Sequence, residues 1–266
     1  MMRIAWCTDI HLNFLEPDQV AAFCHALAEG LPHAVLVTGD ISESYCLDEH
    51  LGMLEEHLGL PIYFVLGNHD YYRGSIATVR REVRDICARS ERLRWLSESG
   101  VIPLSEEAAL IGHDGWADGR LGDFLRSHVM LNDYLHIEEL AFLSKRMRLE
   151  RLHALGDEAA DALRPRLAEA LERFAHVLVA THVPPFREAC WHEGAISNDD
   201  WLPHFSCRAV GDVLAAAMRE RPDRRMTVLC GHTHGEGTAT PLPNLTVYTG
   251  AAEYGAPRLA RLLEIA

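Results

Sequence analysis

An α/β architecture follows from three features of the 266-residue sequence. Short apolar runs rich in Val, Ile and Leu recur along the chain, and they are apolar on both faces, as strands buried between layers are. Helical periodicity fills the intervals between them. Each run also stops abruptly at a small polar cluster. Strand–helix alternation of this kind places helices outside a sheet.

The first run, Ile4–Thr8, ends at Asp9-Ile10-His11. Asp18–Glu29 follows with Val20, Phe23, Cys24 and Leu27 at helical spacing. Ala34–Thr38 is the second strand and ends at Gly39-Asp40, and Cys46–Leu58 then carries Leu47, Leu51, Leu54 and Leu58. Ile62–Leu66 ends at Gly67-Asn68-His69-Asp70, and Ser75–Arg89 presents Ile76, Val79, Val83 and Ile86. Ala109–Ile111 is strand-like. Residues 115–156 break the alternation and read as a largely helical insertion. A helix over Asp157–Ala175 is expected to break or bend at Pro165, because proline removes a backbone donor and crowds the preceding turn. Val177–Thr181 ends at His182, Cys207–Arg221 is helical, and Thr227–Cys230 ends at Gly231-His232. The tail differs: Gly237–Pro241, Asn244–Thr249 and Arg258–Ile265 read as consecutive strands joined by Pro and Gly turns, so an antiparallel element in a second or mixed sheet is expected. No repeat or linker-like tract interrupts the chain, and a single domain over 1–266 is the expectation.

Composition excludes some functions. The formal net charge is −14, which disfavours long nucleic acids and anionic membranes as partners. No run approaches the length of a membrane span. The start, MMRIAWCTDI, lacks the features of a signal peptide. Seven cysteines without a C-x-x-C pattern suit free thiols and a cytoplasmic setting. Oligomeric state leaves no legible signal.

The strand ends collect Asp9, His11, Asp40, Asn68, His69, His182, His232 and His234. In open α/β sheets, ligands bind beyond the carboxyl ends of strands. Carboxylate, imidazole and amide oxygen are suitable donors for borderline divalent cations. In LCGHTHG, residues two apart on extended chain project to the same side, so His232 and His234 are able to reach one metal each or share a centre. The flanking glycines permit close backbone approach. Cys230 reads as core. Each fragment alone is a common chance occurrence, but five in succession at strand ends are not.

In full, the stretches TDIHL, TGDIS, LGNHDYY, ATHVPP and CGHTHGEG run from residue 8 to residue 237. Together the sequence resembles the calcineurin-like metallophosphoesterases, and the pattern looks most like bacterial cyclic-nucleotide phosphodiesterase-like members. The protein Ser/Thr phosphatases match less well, because GDISES and GNHD stand where their motifs continue differently. The resemblance implies a two-sheet β-sandwich core flanked by helices. It implies two divalent metal ions drawn from Mn, Fe, Zn, Co or Ni, one held by Asp9, His11, Asp40 and His234, the other by Asp40, Asn68, His182 and His232. Attack of metal-bound hydroxide on a small phosphodiester or phosphomonoester is the implied reaction. His69 would stand beside the leaving group as the acid. Asp70 would orient His69 or a ligating imidazole, or simply cap a turn. The alternative is a non-catalytic metal-binding scaffold or interaction protein of the same fold.

Substrate contacts are less sharply written. His113 in GHDGWADGR, with Arg73, Arg120 and Arg187, are candidates for phosphate, since guanidinium matches it bidentately; each is otherwise a solvated charge or turn residue. Trp191, Trp201 and Phe205, in the long loop 186–206, are candidates to cover a base or an apolar ester group, or else to pack onto the body of the protein or against another subunit. The remaining histidines, His192 and His204 among them, receive no chemistry.

Overall fold

A computed structural model describes all residues, 1–266. In chain order the first half forms β1 (Met2–Cys7), α1 (Pro17–Glu29), β2 (Ala34–Thr38), α2 (Leu47–Leu58), β3 (Ile62–Val65), α3 (Ile76–Arg89), β4 (Leu93–Trp95), β5 (Ile102–Pro103) and β6 (Ala108–Gly112). The second half forms α4 (Asp133–His136), α5 (Lys145–Arg173), β7 (His176–Ala180), β8 (Trp191–His192), β9 (Ala195–Ile196), α6 (Leu202–Phe205), α7 (Arg208–Glu220), β10 (Arg225–Cys230), β11 (Gly237–Leu242), β12 (Leu245–Thr249) and β13 (Arg261–Ile265).

Two mixed sheets face each other, with strand orders β13-β1-β2-β3-β4 and β11-β12-β10-β7-β6-β5. Strands β1 to β4 are parallel, as are β6, β7, β10 and β12. The antiparallel strands lie at the edges.

Side-chain alternation along each central strand builds the layers. In β1, Ile4 and Trp6 enter the core between the sheets, while Ala5 and Cys7 face α1, α2 and α3. In β7, Leu178 and Ala180 point between the sheets, and Val177 and Val179 pack under α5 and α7. The result is a helix–sheet–sheet–helix stack. The inter-sheet core is fully desolvated at Ile4, Leu36, Val65, Leu110 and Leu229. Truncating one of these leucines to alanine would cost about 2–5 kcal/mol.

The structure departs from the sequence reading in three places. The tail is not a run of antiparallel strands: β11 and β12 form a hairpin, β12 lies parallel to β10, and β13 crosses to the other sheet beside β1. Leu263 and Ile265 there join Ile4 and Trp6 in the inter-sheet core, so burial, not turn chemistry, decides where that strand goes. Helix α5 runs unbroken through Pro165. Pro165 and Asp161 both lie on its exposed side, where the carbonyl left without a partner reaches water, while Leu163 and Leu167 are buried against the sheet. In the 115–156 segment, helix is confined to α4 and the first turns of α5; residues 115–132 are irregular. No helix is long and apolar enough to cross a membrane.

Candidate metal centre

All five polar clusters expected at strand ends meet at one place. They follow β1, β2, β3, β7 and β10, parallel strands whose carboxyl ends point the same way across the two sheets. The backbone there is not extended. Asp9 (φ 48°), His11 (φ 41°), Asp40 (φ 51°), His232 (φ 71°) and His234 (φ 58°) all occupy the left-handed region. Non-glycine residues rarely do so, and such strain persists only where the surroundings enforce it. The extended backbone expected at His232 and His234 is corrected accordingly, and of the two alternatives they take separate sides, His232 towards Asn68 and His234 towards Asp9 and His11.

Glycines make the approach possible. A Cβ on Gly67 would stand 2.2 Å from Asp40 Oδ1, and one on Gly231 would stand 2.0 Å from Asp9 Oδ2. Gly39, at φ +90°, passes beneath the His182 ring.

One group comprises Asp9, His11, Asp40 and His234, whose donor atoms all lie within 4.8 Å of one another. His11 Nε2 and His234 Nε2 are 3.3 Å apart. Asp9 is locked by the backbone N–H of His232, at 3.0 and 3.1 Å, and by the Thr8 hydroxyl, which donates at 2.6 Å. The Nδ1 of His11 is buried without a partner.

A second group faces the other side of Asp40. His182 donates from Nδ1 to the Thr38 carbonyl at 2.8 Å, and His232 donates from Nε2 to the His204 carbonyl at 2.9 Å. Those bonds make His182 Nε2 and His232 Nδ1 the inward-facing nitrogens, the ones that carry the lone pair in each ring's neutral form. Both aim at Asn68 Oδ1, at 3.0 and 2.9 Å, and His182 Nε2 is 3.4 Å from Asp40 Oδ1. Asn68 Oδ1 faces inward because its amide nitrogen donates to Asp133 Oδ1 at 2.8 Å, and the Tyr72 hydroxyl donates to the same oxygen at 2.7 Å. Two imidazole nitrogens and two oxygens thus converge, and a divalent cation taking the place of the His182 proton would find N and O donors suited to it.

The electrostatics agree. Burial pushes the Asp40 carboxyl up, but His182, His69 and His11 outweigh it and hold Asp40 well below the usual carboxylate range. Burial opposes charge on His182, yet Asp40 dominates and pushes that imidazole up to about 10. Burial takes His11 the other way, down to about 4, against the pull of Asp40. The cluster attracts positive charge and shares it unevenly.

His69 sits at the rim, with Nε2 3.9 Å from Asp40 Oδ2 and its ring stacked on Tyr72 at 4.2 Å. Its backbone N–H donates to Asp40 Oδ1 at 2.8 Å. The expected link from Asp70 to an imidazole is corrected: Asp70 is fully buried and accepts from the backbone N–H of Ser42 and Gly67, at 2.8 and 2.7 Å. It ties the loop carrying Asp40 to the loop carrying Asn68. Burial, followed by the Asp40 charge, raises its carboxyl well above the usual range.

A cleft of about 280 Å³ opens over the centre, lined by Asp40, Asn68, His69, His232 and His234 and walled by Tyr72, Tyr254, Trp201, Phe205 and His192. The four other candidate contacts do not line it. Arg73 pairs with Glu43 at 2.9 Å, Arg187 with Asp199 at 2.8 Å, and Arg120 with Asp118 and Asp157. His113 is buried, accepts at Nδ1 from the Gly115 N–H, and is lowered by that burial. Trp191 packs over Gly237, outside the cleft. Conversely, Asp133, Tyr254 and His204 were not singled out from the sequence. Each lies in irregular chain or a four-residue helix, where no periodicity flags it.

Comparison with known proteins places this geometry among others. The family model described as calcineurin-like phosphoesterase matches residues 2–236. The chain is 29% identical over 119 residues to a UDP-2,3-diacylglucosamine hydrolase of Yersinia enterocolitica, covering 40% of this chain and 42% of that protein. It therefore spans less than half the length of that relative. Among solved structures it is similar in fold to the phosphopantetheinyl hydrolase of Mycobacterium tuberculosis, with a TM-score of 0.67 and 15% identity over 94% of this chain and 89% of that one. A dimetal phosphatase from Danio rerio aligns with a TM-score of 0.60 and 13% identity, over 94% and 87% of the two chains.

Proposed function

The chain belongs to the calcineurin-like phosphoesterase family, and from that premise we propose that it is a metal-dependent phosphoric ester hydrolase acting on a small phosphodiester or phosphomonoester. The observation that carries this reading is Asp40, whose two oxygens face separate donor sets. Asp9, His11, Asp40 and His234 would hold one divalent ion, and Asp40, Asn68, His182 and His232 the other. The N and O donors suit Mn, Fe, Zn, Co or Ni alike. Bound there, two such ions supply Lewis acidity towards a phosphate oxygen and acidify water.

The chain's own groups do the rest. His69, at the rim beside Asp40, holds the proton that the departing alkoxide takes up. Tyr72 fixes that imidazole by stacking and, through Asp133, helps keep the Asn68 oxygen turned inward. Asp70 binds two loops together and acts by positioning alone. Trp201, Phe205 and Tyr254 wall the cleft with rings and keep bulk water from its sides.

The lining contains no Lys or Arg. A substrate's negative charge is then answered by the metal centre and His69, which suits a single phosphoryl group and disfavours polyphosphates. The neighbouring rings of Trp201 and Phe205, tilted by 30° with centroids 5.1 Å apart, favour an alcohol portion that is planar or apolar.

The test is hydrolysis of bis-p-nitrophenyl phosphate and p-nitrophenyl phosphate by Mn²⁺-loaded protein, before and after chelation, with Asp40→Asn alongside. Turnover that chelation and Asp40→Asn both abolish is expected. No turnover with any divalent metal would favour the non-catalytic reading.

A further inference from the structure

Behind the cleft wall lies a second cavity of about 350 Å³, within the size range of small-molecule sites. Its apolar surface includes Phe124, Met130 and Leu143, and its cations are Lys145 and Arg148. No carboxylate lines it, in a chain whose Asp and Glu outnumber Lys and Arg by 39 to 25.

Arg148 is unusual there. The residue is 7% exposed, yet neither it nor Lys145 forms an ion pair with any carboxylate. Its guanidinium lies 4.3 Å over the Tyr134 ring. Its donors reach only neutral acceptors, the Leu140 carbonyl at 3.5 Å, the Leu143 carbonyl at 3.2 Å and the Met130 sulfur at 3.8 Å, for a group with five N–H bonds. Lys145 donates to the Ser127 carbonyl and stands 5.8 Å from the Phe124 ring. A buried cation without a counter-charge is costly, and an anion entering the cavity removes that cost. The apolar walls continue outward through Met130, which is 60% exposed, and Leu143 is preceded by the fully exposed Phe142 in a left-handed conformation (φ 58°). An exposed aromatic held in strained backbone beside an apolar mouth is suited to a hydrocarbon chain.

We propose that this cavity binds an amphiphilic anion, a carboxylate or phosphate head against Arg148 and Lys145 with an apolar chain along Phe124, Met130 and Leu143. The site shares no lining residue with the cleft, and Tyr134 and His204 link the two. The Tyr134 hydroxyl is bonded to His204 Nδ1 at 2.5 Å, and the His204 carbonyl accepts from His232. An occupant pressing on Tyr134 therefore touches the support of a cleft histidine.

Direct binding tests this without relying on turnover. The full-length protein is titrated calorimetrically with decanoate and with decyl phosphate below their micelle concentrations, and with decanol and inorganic phosphate as controls. Saturable binding of one or both amphiphilic anions is expected, at least tenfold tighter than either control; which of the two binds more tightly identifies the head. Arg148→Met is expected to weaken binding tenfold or more and Lys145→Met, half-buried and less demanding of the fold, to weaken it measurably. Asp40→Asn, which alters the cleft alone, is expected to leave it unchanged. Decanol or inorganic phosphate binding as tightly as the amphiphiles, no saturable binding, or binding lost in Asp40→Asn and kept in both cation variants would overturn the proposal.

Discussion

The amide nitrogen of Asn68 donates to Asp133 Oδ1 at 2.8 Å, and this contact sets which way the Asn68 oxygen points. Asn68 follows β3 and Asp133 begins α4, so a residue far along the chain fixes a donor of the centre. Partners of this type orient ligands and tune metal affinity. Asp133→Ala is expected to weaken binding of one metal equivalent by about 10–100-fold. Calorimetric titration with Mn²⁺ reads this directly; Tyr72→Phe, which removes the second bond to that carboxylate and a longer one from the Asn68 amide at 3.3 Å but keeps the Asn68–Asp133 bond, should have the smaller effect. Equal affinities for Asp133→Ala and the parent protein would remove Asp133 from the account.

His69 stands at the cleft rim, outside both donor sets. His69→Ala should therefore retain its metals while turnover falls by about 10²–10⁴. Elemental analysis and initial rates on the same preparation check the pair of statements. Full activity with full metal content would dismiss His69 as the proton donor.

A methyl group on Gly67 would collide with Asp40 Oδ1 and with its backbone nitrogen, at 2.2 and 2.4 Å. Gly67→Ala should thus cost metal binding out of proportion to stability, since the neighbouring Leu66 and Val65 remain buried as before. Melting temperature and metal content measured side by side distinguish this from simple unfolding.

Stability should also depend on pH through a residue remote from the centre. Burial lowers His176 to about 4, and the neighbouring Arg225 adds to the effect. In the unfolded chain the imidazole titrates near 6.5. The unfolded state therefore binds the extra proton between those values. The contribution is fully present above about 6.5 and is lost progressively as pH falls towards 4. Denaturation midpoints of the parent and His176→Asn, compared from pH 4 to pH 7, should diverge least at the acid end. A difference independent of pH would contradict the assignment.

How much of this was legible beforehand varies with the range of the signal. The strand ends were, because each polar cluster adjoins its own apolar run: Asp9 and His11 beside β1, Asp40 beside β2, Asn68 beside β3. Their convergence could be anticipated because parallel strands carry their carboxyl ends to one side. The left-handed backbone at Asp9, His11, Asp40, His232 and His234 could not, since only tertiary packing enforces it.

Side chains whose role depends on distant partners were equally hidden. Nothing local distinguishes Asp133 from the acids around it, and nothing shows that Arg73 and Arg187 are already committed to Glu43 and Asp199. Pro165 misled because its effect depends on which face of α5 it occupies. The crossing of β13 to the first sheet is likewise decided by burial of Leu263 and Ile265, not by the turns around them.

Anomalous scattering from crystals of the Mn²⁺-loaded protein examines the central claim most directly. Two peaks are expected on either side of Asp40, one among Asp9, His11 and His234, the other among Asn68, His182 and His232. A single peak, or peaks that leave Asp40 uncoordinated, would contradict it.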